Sequence, residues 1–379
     1  MKRPSVLILT SNFGSDHQQI ATTLAKNLNS QGFNPVISDL FNESFPVMAN
    51  IAQKCLQKIH SISTRMSNWF YFGNQKLHVK GFMHLSQSLS KKRLHSLMKE
   101  HRPVFIISTY PLQQAPSIKN HINNCIPLYT IITDYQIHPC SINPNQSATR
   151  YFVCSDSVKK TLLTHTIKEK VITNSGIPLR TKFENTKSLD TSSIYQKYYL
   201  SPHKKIITVL AGAHRTLNDI RELCQLLLQN PTHQIVAICK KNDRLFEKLI
   251  PLAYRYPDSF RLLEDVEEIH ELLAISHFLV TKPNVITITE AAALQLPLIL
   301  TKPTSVHEAE NAHYFAEKGA AVTSSSIKET YEHIKQLSRN KVLVEKIKNE
   351  LAKIHLESLP LNAQTRHRAG GLSPSAVTR

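Results

Sequence analysis

Short β-branched, apolar runs alternate with longer stretches of helical period along most of this chain. In the first half the strand candidates are SVLILT (5–10), NPVIS (34–38), VFIIST (104–109), PLYTIIT (127–133), YFVC (151–154) and KVIT (170–173). In the second half they are KKIITVLAG (204–212), HQIVAIC (233–239), SFRLL (259–263), HFLVT (277–281), PLILT (297–301) and AAVT (320–323). Helical period is expected over 17–31, 83–100, 156–165, 216–229, 287–295, 308–318 and 340–355. This alternation predicts an α/β protein with parallel sheets and crossover helices. The polar stretch TKFENTKSLDTSS (181–193) separates the two sets and reads as a linker and hinge. Two doubly wound halves facing each other across a cleft are therefore expected. The segments are 1–182, a linker 183–203, 204–358, and a tail 359–379 with no apolar period, which reads as disordered.

At 379 residues and 41% hydrophobic, the chain suits two packed domains. No apolar run reaches the roughly 18 residues of a membrane-spanning helix. MKRPSVLILTSNFG reads as a first strand rather than a secretory leader. Cys55, Cys125, Cys140, Cys154, Cys224 and Cys239 show no CxxC pair and no metal spacing with histidine, so reduced thiols in a cytosolic protein are expected.

Charge changes the picture. Lysine and arginine number 46 against 28 acids, a net +18, which points to an anionic partner. Between Pro46 and Arg102 the sole acid is Glu100, whereas lysines and arginines recur, including the run Lys91, Lys92, Arg93. The same span holds Trp69, Phe70, Tyr71 and Phe72. Basic residues interleaved with aromatics suit a segment lying in an anionic lipid headgroup layer. A solvated basic face with the aromatics in the core is the plainer alternative. No nucleic-acid recognition motif accompanies the charge, so nucleic acid is not an expected partner.

In open α/β sheets ligands gather at the carboxyl ends of strands, where helix N-termini present free N–H groups. Four segments fit. LTSNFGSDHQQI runs from strand through a turn at Gly14 into a helix, with His17 in its first turn, placed to take a proton from an acceptor hydroxyl. ITDYQIH ends a strand with Asp134 and carries His138 four residues later, either as turn and cap residues or on an acceptor side. VLAGAHRTLNDI resembles a short phosphate loop with one glycine, Gly212, and Arg215 beside it. VTKPNVITITEAAALQLPLILTKPTSVHEAENAHYF turns at Asn284 and Val285 and opens a helix through Thr287 to Glu290. That helix start faces a diphosphate, with Glu290 able to accept from ribose hydroxyls; taken singly, Glu290, Glu308 and Glu310 are ordinary helix-start acids.

VLILTSNFGSDH, TDYQIH, SGIPLRTKFE, LSPHKKIITVLAGAH, TKPNVITITEA and ENAHYFAEKGAA, in this order and spacing over roughly 4–355, carry a resemblance. The chain resembles the processive diacylglycerol glucosyltransferases of Gram-positive bacteria, relatives of plant monogalactosyldiacylglycerol synthase and of the peptidoglycan N-acetylglucosaminyltransferase. The resemblance implies a GT-B fold, two Rossmann-like domains with a cleft between them. It implies UDP-hexose as donor, diacylglycerol or a glycolipid as acceptor, and inverting transfer without metal or further cofactor. It also implies a peripheral place at the cytoplasmic face of the cell membrane, held by the basic-aromatic segment. His17 matches the family's general base. Gly212, Arg215, Val266, Asn284, Val285, Thr287 and Glu290 fall on the donor's nucleotide and diphosphate side, with Glu290 on ribose. Glu308 and Asn311 fall on the hexose, and Asp134 and His138 on the acceptor side.

The family usually carries glycine where this chain has Asp16, Arg215, Lys240, Glu264, Asn284 and Val285, and the whole chain holds only nine glycines. A Cβ at such turns blocks close backbone approach and can oppose a positive φ, most of all at β-branched Val285. Glycine restored at 284 and 285 is thus expected to favour donor binding at little loss of stability, if that loop faces solvent. The same substitutions fit a second reading: a relative that keeps fold and membrane surface but has lost efficient transfer.

Overall fold

The protein's structure is a computed structural model. It describes residues 3–11, 15–44, 92–109, 126–137, 148–184, 186–211, 217–240 and 242–357. They form two compact units. One comprises residues 1–178 with 305–307 and 357–379; the other comprises 179–304 and 308–356.

The first unit carries a parallel sheet in the order β2-β1-β3-β4-β5-β6. Its strands are β1 (Ser5–Leu9), β2 (Asn34–Ser38), β3 (Phe105–Ser108), β4 (Leu128–Ile131), β5 (Arg150–Val153) and β6 (Ile172–Asn174). Val6 to Leu9 of β1 are at most 1% exposed, as expected for a strand covered on both faces. Leu7 and Leu9 pack with Ile106, Leu128 and, from a helix over 92–101, Leu94 and Leu97.

The second unit's sheet runs β12-β11-β10-β7-β8-β9, again all parallel. These strands are β7 (Lys205–Leu210), β8 (His233–Ile238), β9 (Phe260–Leu263), β10 (Phe278–Thr281), β11 (Leu298–Thr301) and β12 (Ala321–Ser324). The apolar runs of the sequence thus appear as two six-stranded sheets, with ends shifted by a residue or two. The polar stretch after Pro178 is not bare linker. It forms short helices Thr181–Glu184 and Thr191–Lys197, and buried Phe183 and Ile194 anchor it in the second unit.

Each order contains a point where successive connections leave in opposite directions, between β1 and β3 and between β7 and β10. Crevices for ligands open at the carboxyl ends of strands at such switch points.

Candidate active site

At the β1/β3 switch point, helix Ser15–Ser30 starts six residues after β1 ends and carries His17 in its first turn. Thr109, just past β3, lies 3.3 Å from the His17 carbonyl and 3.2 Å from the Thr10 hydroxyl through its own Oγ1. Thr133, just past β4 and buried, brings Oγ1 to 3.3 Å from His17 Nδ1. With Nδ1 protonated and donating to Thr133, Nε2 is the ring nitrogen that carries the basic lone pair. Burial holds the imidazole below the ordinary histidine value, against the upward pull of Asp134 and Asp16. A neutral imidazole with one oriented nitrogen is what proton abstraction from a hydroxyl requires.

Asp134 follows Thr133 directly, and its carbonyl accepts from Cys154 Sγ at 2.8 Å. Tyr135 is fully buried, and its carbonyl accepts from Ser155 Oγ, which also caps the helix Asp156–Thr164. The TDY segment is thus pinned from β5's side. Nothing in the sequence singled out Thr109 or Thr133; only their positions at strand ends signalled them.

At the β7/β10 switch point, Pro283 and Asn284 lead into helix Val285–Ala293, two residues earlier than the hydropathy pattern implied. Asn284 (φ −67°) is its N-cap, and its Oδ1 accepts from the Thr287 N–H at 3.2 Å and lies 3.3 Å from the Thr287 hydroxyl. This corrects the expectation at 284 and 285. Val285 is helical, 1% exposed, and not at positive φ; its side chain belongs to the core rather than to a strained, solvent-facing turn. Among the described positions where the family carries glycine, Lys240 alone lies in the left-handed region, at φ 48°.

Glu290 stands in the same helix, 3% exposed. Arg180 donates to it through Nε to Oε1 at 2.6 Å and through Nη2 to Oε2 at 2.8 Å. The carboxylate expected to accept from ribose hydroxyls is therefore half of a two-bond ion pair. The cause lies in burial, which pushes the carboxyl up while Arg180 pulls it down. Sequence reasoning missed Arg180, although a lone acid in VITITEAAA signalled that some cation must meet it.

In helix Val306–Glu317, Glu308 Oε2 accepts from the Thr304 N–H at 2.6 Å and its hydroxyl at 2.8 Å, a cap of the helix start. Asn311 is buried one turn on. Val266 sits half-buried in the loop after β9. Glu268, His270 and Glu271 cluster within 4.8 Å, yet Glu268 is paired with Lys182 and Glu271 with Lys197. Of the expected membrane residues, Lys92 is exposed, and Arg93 Nε is bonded to Glu43 Oε2 at 2.7 Å. His138, Gly212, Arg215, Trp69, Phe70, Phe72 and Lys91 lie outside the described residues, as does the tail 359–379.

A family model described as monogalactosyldiacylglycerol (MGDG) synthase matches residues 17–179. A processive diacylglycerol beta-glucosyltransferase of Bacillus cereus (strain AH187) is 36% identical over 356 residues, spanning 94% of this chain and 91% of the relative. MurG of Acinetobacter baumannii matches with a TM-score of 0.62 at 15% identity, over 95% of this chain and 97% of that one. An S. aureus MnaA–UDP structure matches at 0.61 and 14% identity, over 99% and 98%. Those likenesses establish the GT-B fold. With the identity to the glucosyltransferase extending over nearly its whole length, the chain belongs to the diacylglycerol glycosyltransferase family that includes monogalactosyldiacylglycerol synthase.

Proposed function

We propose that the chain is a peripheral membrane glycosyltransferase that moves a hexose from UDP-hexose to diacylglycerol, inverting the anomeric centre without a metal. The observation that carries this reading is His17 at the first sheet's switch point, its Nδ1 3.3 Å from Thr133 Oγ1 and its pKa lowered by burial. His17 Nε2 takes the proton of the acceptor hydroxyl as its oxygen attacks the hexose C1. The bond from C1 to the phosphate oxygen breaks, and UDP leaves with the electron pair. The N–H groups at the start of helix Val285–Ala293 meet the charge on the diphosphate. Gly212 and Arg215 add to that side, Glu290 accepts from ribose hydroxyls, and Glu308 with Asn311 faces the hexose.

The comfortable seating of Asn284 and Val285 supports an active enzyme over a degraded one, because neither side chain strains the turn. The B. cereus relative's name points to a glucosyl donor and diacylglycerol, and the UDP-bound neighbour to a uridine nucleotide. The test is incubation of purified protein with radiolabelled UDP-glucose and diacylglycerol in anionic vesicles, with chromatography of the lipid fraction. A labelled β-glucosyl lipid is expected, and its formation should be unaffected by a chelator. Absence of labelled lipid, with UDP binding intact, refutes the transferase reading.

A further inference from the structure

Five residues other than glycine hold a positive φ among the described residues: Arg102, Thr166, Tyr199, Lys240 and Gln295. Four of them have an ordinary cause. Arg102, Thr166, Tyr199 and Gln295 each stand within two residues of a helix end, and each N–H returns to a carbonyl of that helix. A left-handed residue there is the common way to stop a helix. Lys240, at φ 48°, follows strand β8 instead. It lies in the turn closed by the Asn242 N–H on the Cys239 carbonyl at 3.1 Å, after which Asn242 caps helix Asp243–Arg255. Glycine would fill this turn without strain. Strain with no helix end to account for it, at the ligand-binding end of a sheet, is characteristic of functional positions.

The ends of three adjacent strands set the distances. Ile238 pairs with Leu210 and Val280 with Val209, so β8, β7 and β10 end level with one another, β7 in the middle. Lys240 stands two residues past β8, and Asn284 three residues past β10. Two strand spacings, about 9.5 Å, separate the strands they leave. A diphosphate lying over the end of β7 is therefore within reach of a four-carbon stem from the β8 side. The charge balance agrees. Arg180 and Glu290 neutralise one another, whereas Lys240 is exposed and forms no hydrogen bond or ion pair among the described residues. Its charge nevertheless acts on the donor helix: burial raises the Glu290 carboxyl, Arg180 lowers it, and Lys240 adds to that pull.

We propose that Lys240 is a diphosphate-binding residue of the donor site, its ammonium holding the donor's phosphates and then the departing UDP. The proposal rests on the reading given above that a nucleoside diphosphate occupies the second sheet's switch point. The strained turn is then the cost of placing a cation where glycine would supply none.

Titration of the full chain with UDP by calorimetry, and with uridine by ligand-observed NMR, tests it on wild type, Lys240→Met, Lys240→Gly and Lys240→Arg. Methionine keeps the stem and the strain; glycine removes both. Loss of a charge-assisted contact should weaken UDP about tenfold to a hundredfold in the Met and Gly variants, with uridine within about twofold of wild type. Lys240→Arg should hold UDP within roughly threefold of wild type, because the charge is kept. Lys240→Gly should melt above wild type while binding UDP more weakly, a pairing of signs that a structural role for the lysine would not produce. Wild-type UDP affinity in Lys240→Met would overturn the proposal and leave the donor reading standing. Equal weakening of UDP and uridine would overturn it too, since the lysine would then touch the nucleoside or support the loop. Absence of UDP binding by the wild type would instead refute the donor reading, and the proposal with it.

Discussion

Thr133 Oγ1 stands 3.3 Å from His17 Nδ1, so the imidazole is oriented from the ring nitrogen opposite the one that would take a proton. His17→Ala should lower turnover by roughly 10²–10⁴ with UDP affinity nearly unchanged, because a base acts on the acceptor. Thr133→Val keeps shape and removes the hydrogen bond, so turnover should fall about three- to tenfold. Steady-state kinetics and UDP titration on both variants check this; wild-type turnover in His17→Ala would refute the assignment.

The acid side of the rate profile follows from the same residue. A general base works deprotonated, so kcat/KM falls as pH drops through the His17 pKa. Burial places that pKa below the ordinary 6.5, while Asp134 raises it. Asp134→Asn removes a stabilising negative charge, so the acid limb should move to still lower pH. Profiles measured on both proteins decide; movement to higher pH would contradict the electrostatics.

At the donor helix, Asn284→Ala should destabilise by about 1 kcal/mol through loss of the cap, and Asn284→Gly by only a few tenths. Val285→Gly strips a buried side chain and loosens a helix start, for roughly 3 kcal/mol. Denaturant melts should find Val285→Gly the most destabilised, Asn284→Ala next and Asn284→Gly the least. A neutral Val285→Gly would mean that the position faces solvent after all.

Lys240 predicts the opposite sign. A lysine at φ 48° carries left-handed strain of roughly 1–2 kcal/mol, which glycine avoids at some loss of unfolded-state restriction. Lys240→Gly should therefore raise stability by about 0.5–1 kcal/mol. A lower melting temperature for this variant would count against the strain.

The helix over 92–101 buries Leu94 and Leu97 and leaves Lys92 and Lys99 exposed. Binding to anionic vesicles should be strong, weak to neutral ones, and should fall as salt screens the charge. Lys92→Glu with Lys99→Glu should reduce co-sedimentation. Equal binding to neutral vesicles at high salt would remove the electrostatic basis.

Strands were legible because parallel sheets covered on both faces demand runs rich in apolar, β-branched residues such as KIITVL and HQIVAI. Helix starts were less so: Pro283 and Asn284 form an N-cap, yet the β-branched run VITIT reads equally well as a turn followed by a later start. The donor-side glycine pattern misled at 285 because loss of a glycine does not reveal which φ the new residue adopts. At 240 the same pattern pointed to a real left-handed position. Arg180 escaped because its partner lies 110 residues away, and pairing over such a span leaves no local period.

The strand orders also set a schedule for synthesis. β1 lies between β2 and β3, and Val6 pairs with Phe105 while Leu7 pairs with Val36. At about 5–20 residues per second, the ribosome delivers β3 on the order of 5–20 seconds after β1. Until then VLIL has one partner strand and one open edge, a row of unpaired backbone groups flanked by fully apolar side chains. The nascent first unit is thus exposed to pairing with other chains for seconds, and a peptide released before Phe105 keeps that edge open permanently.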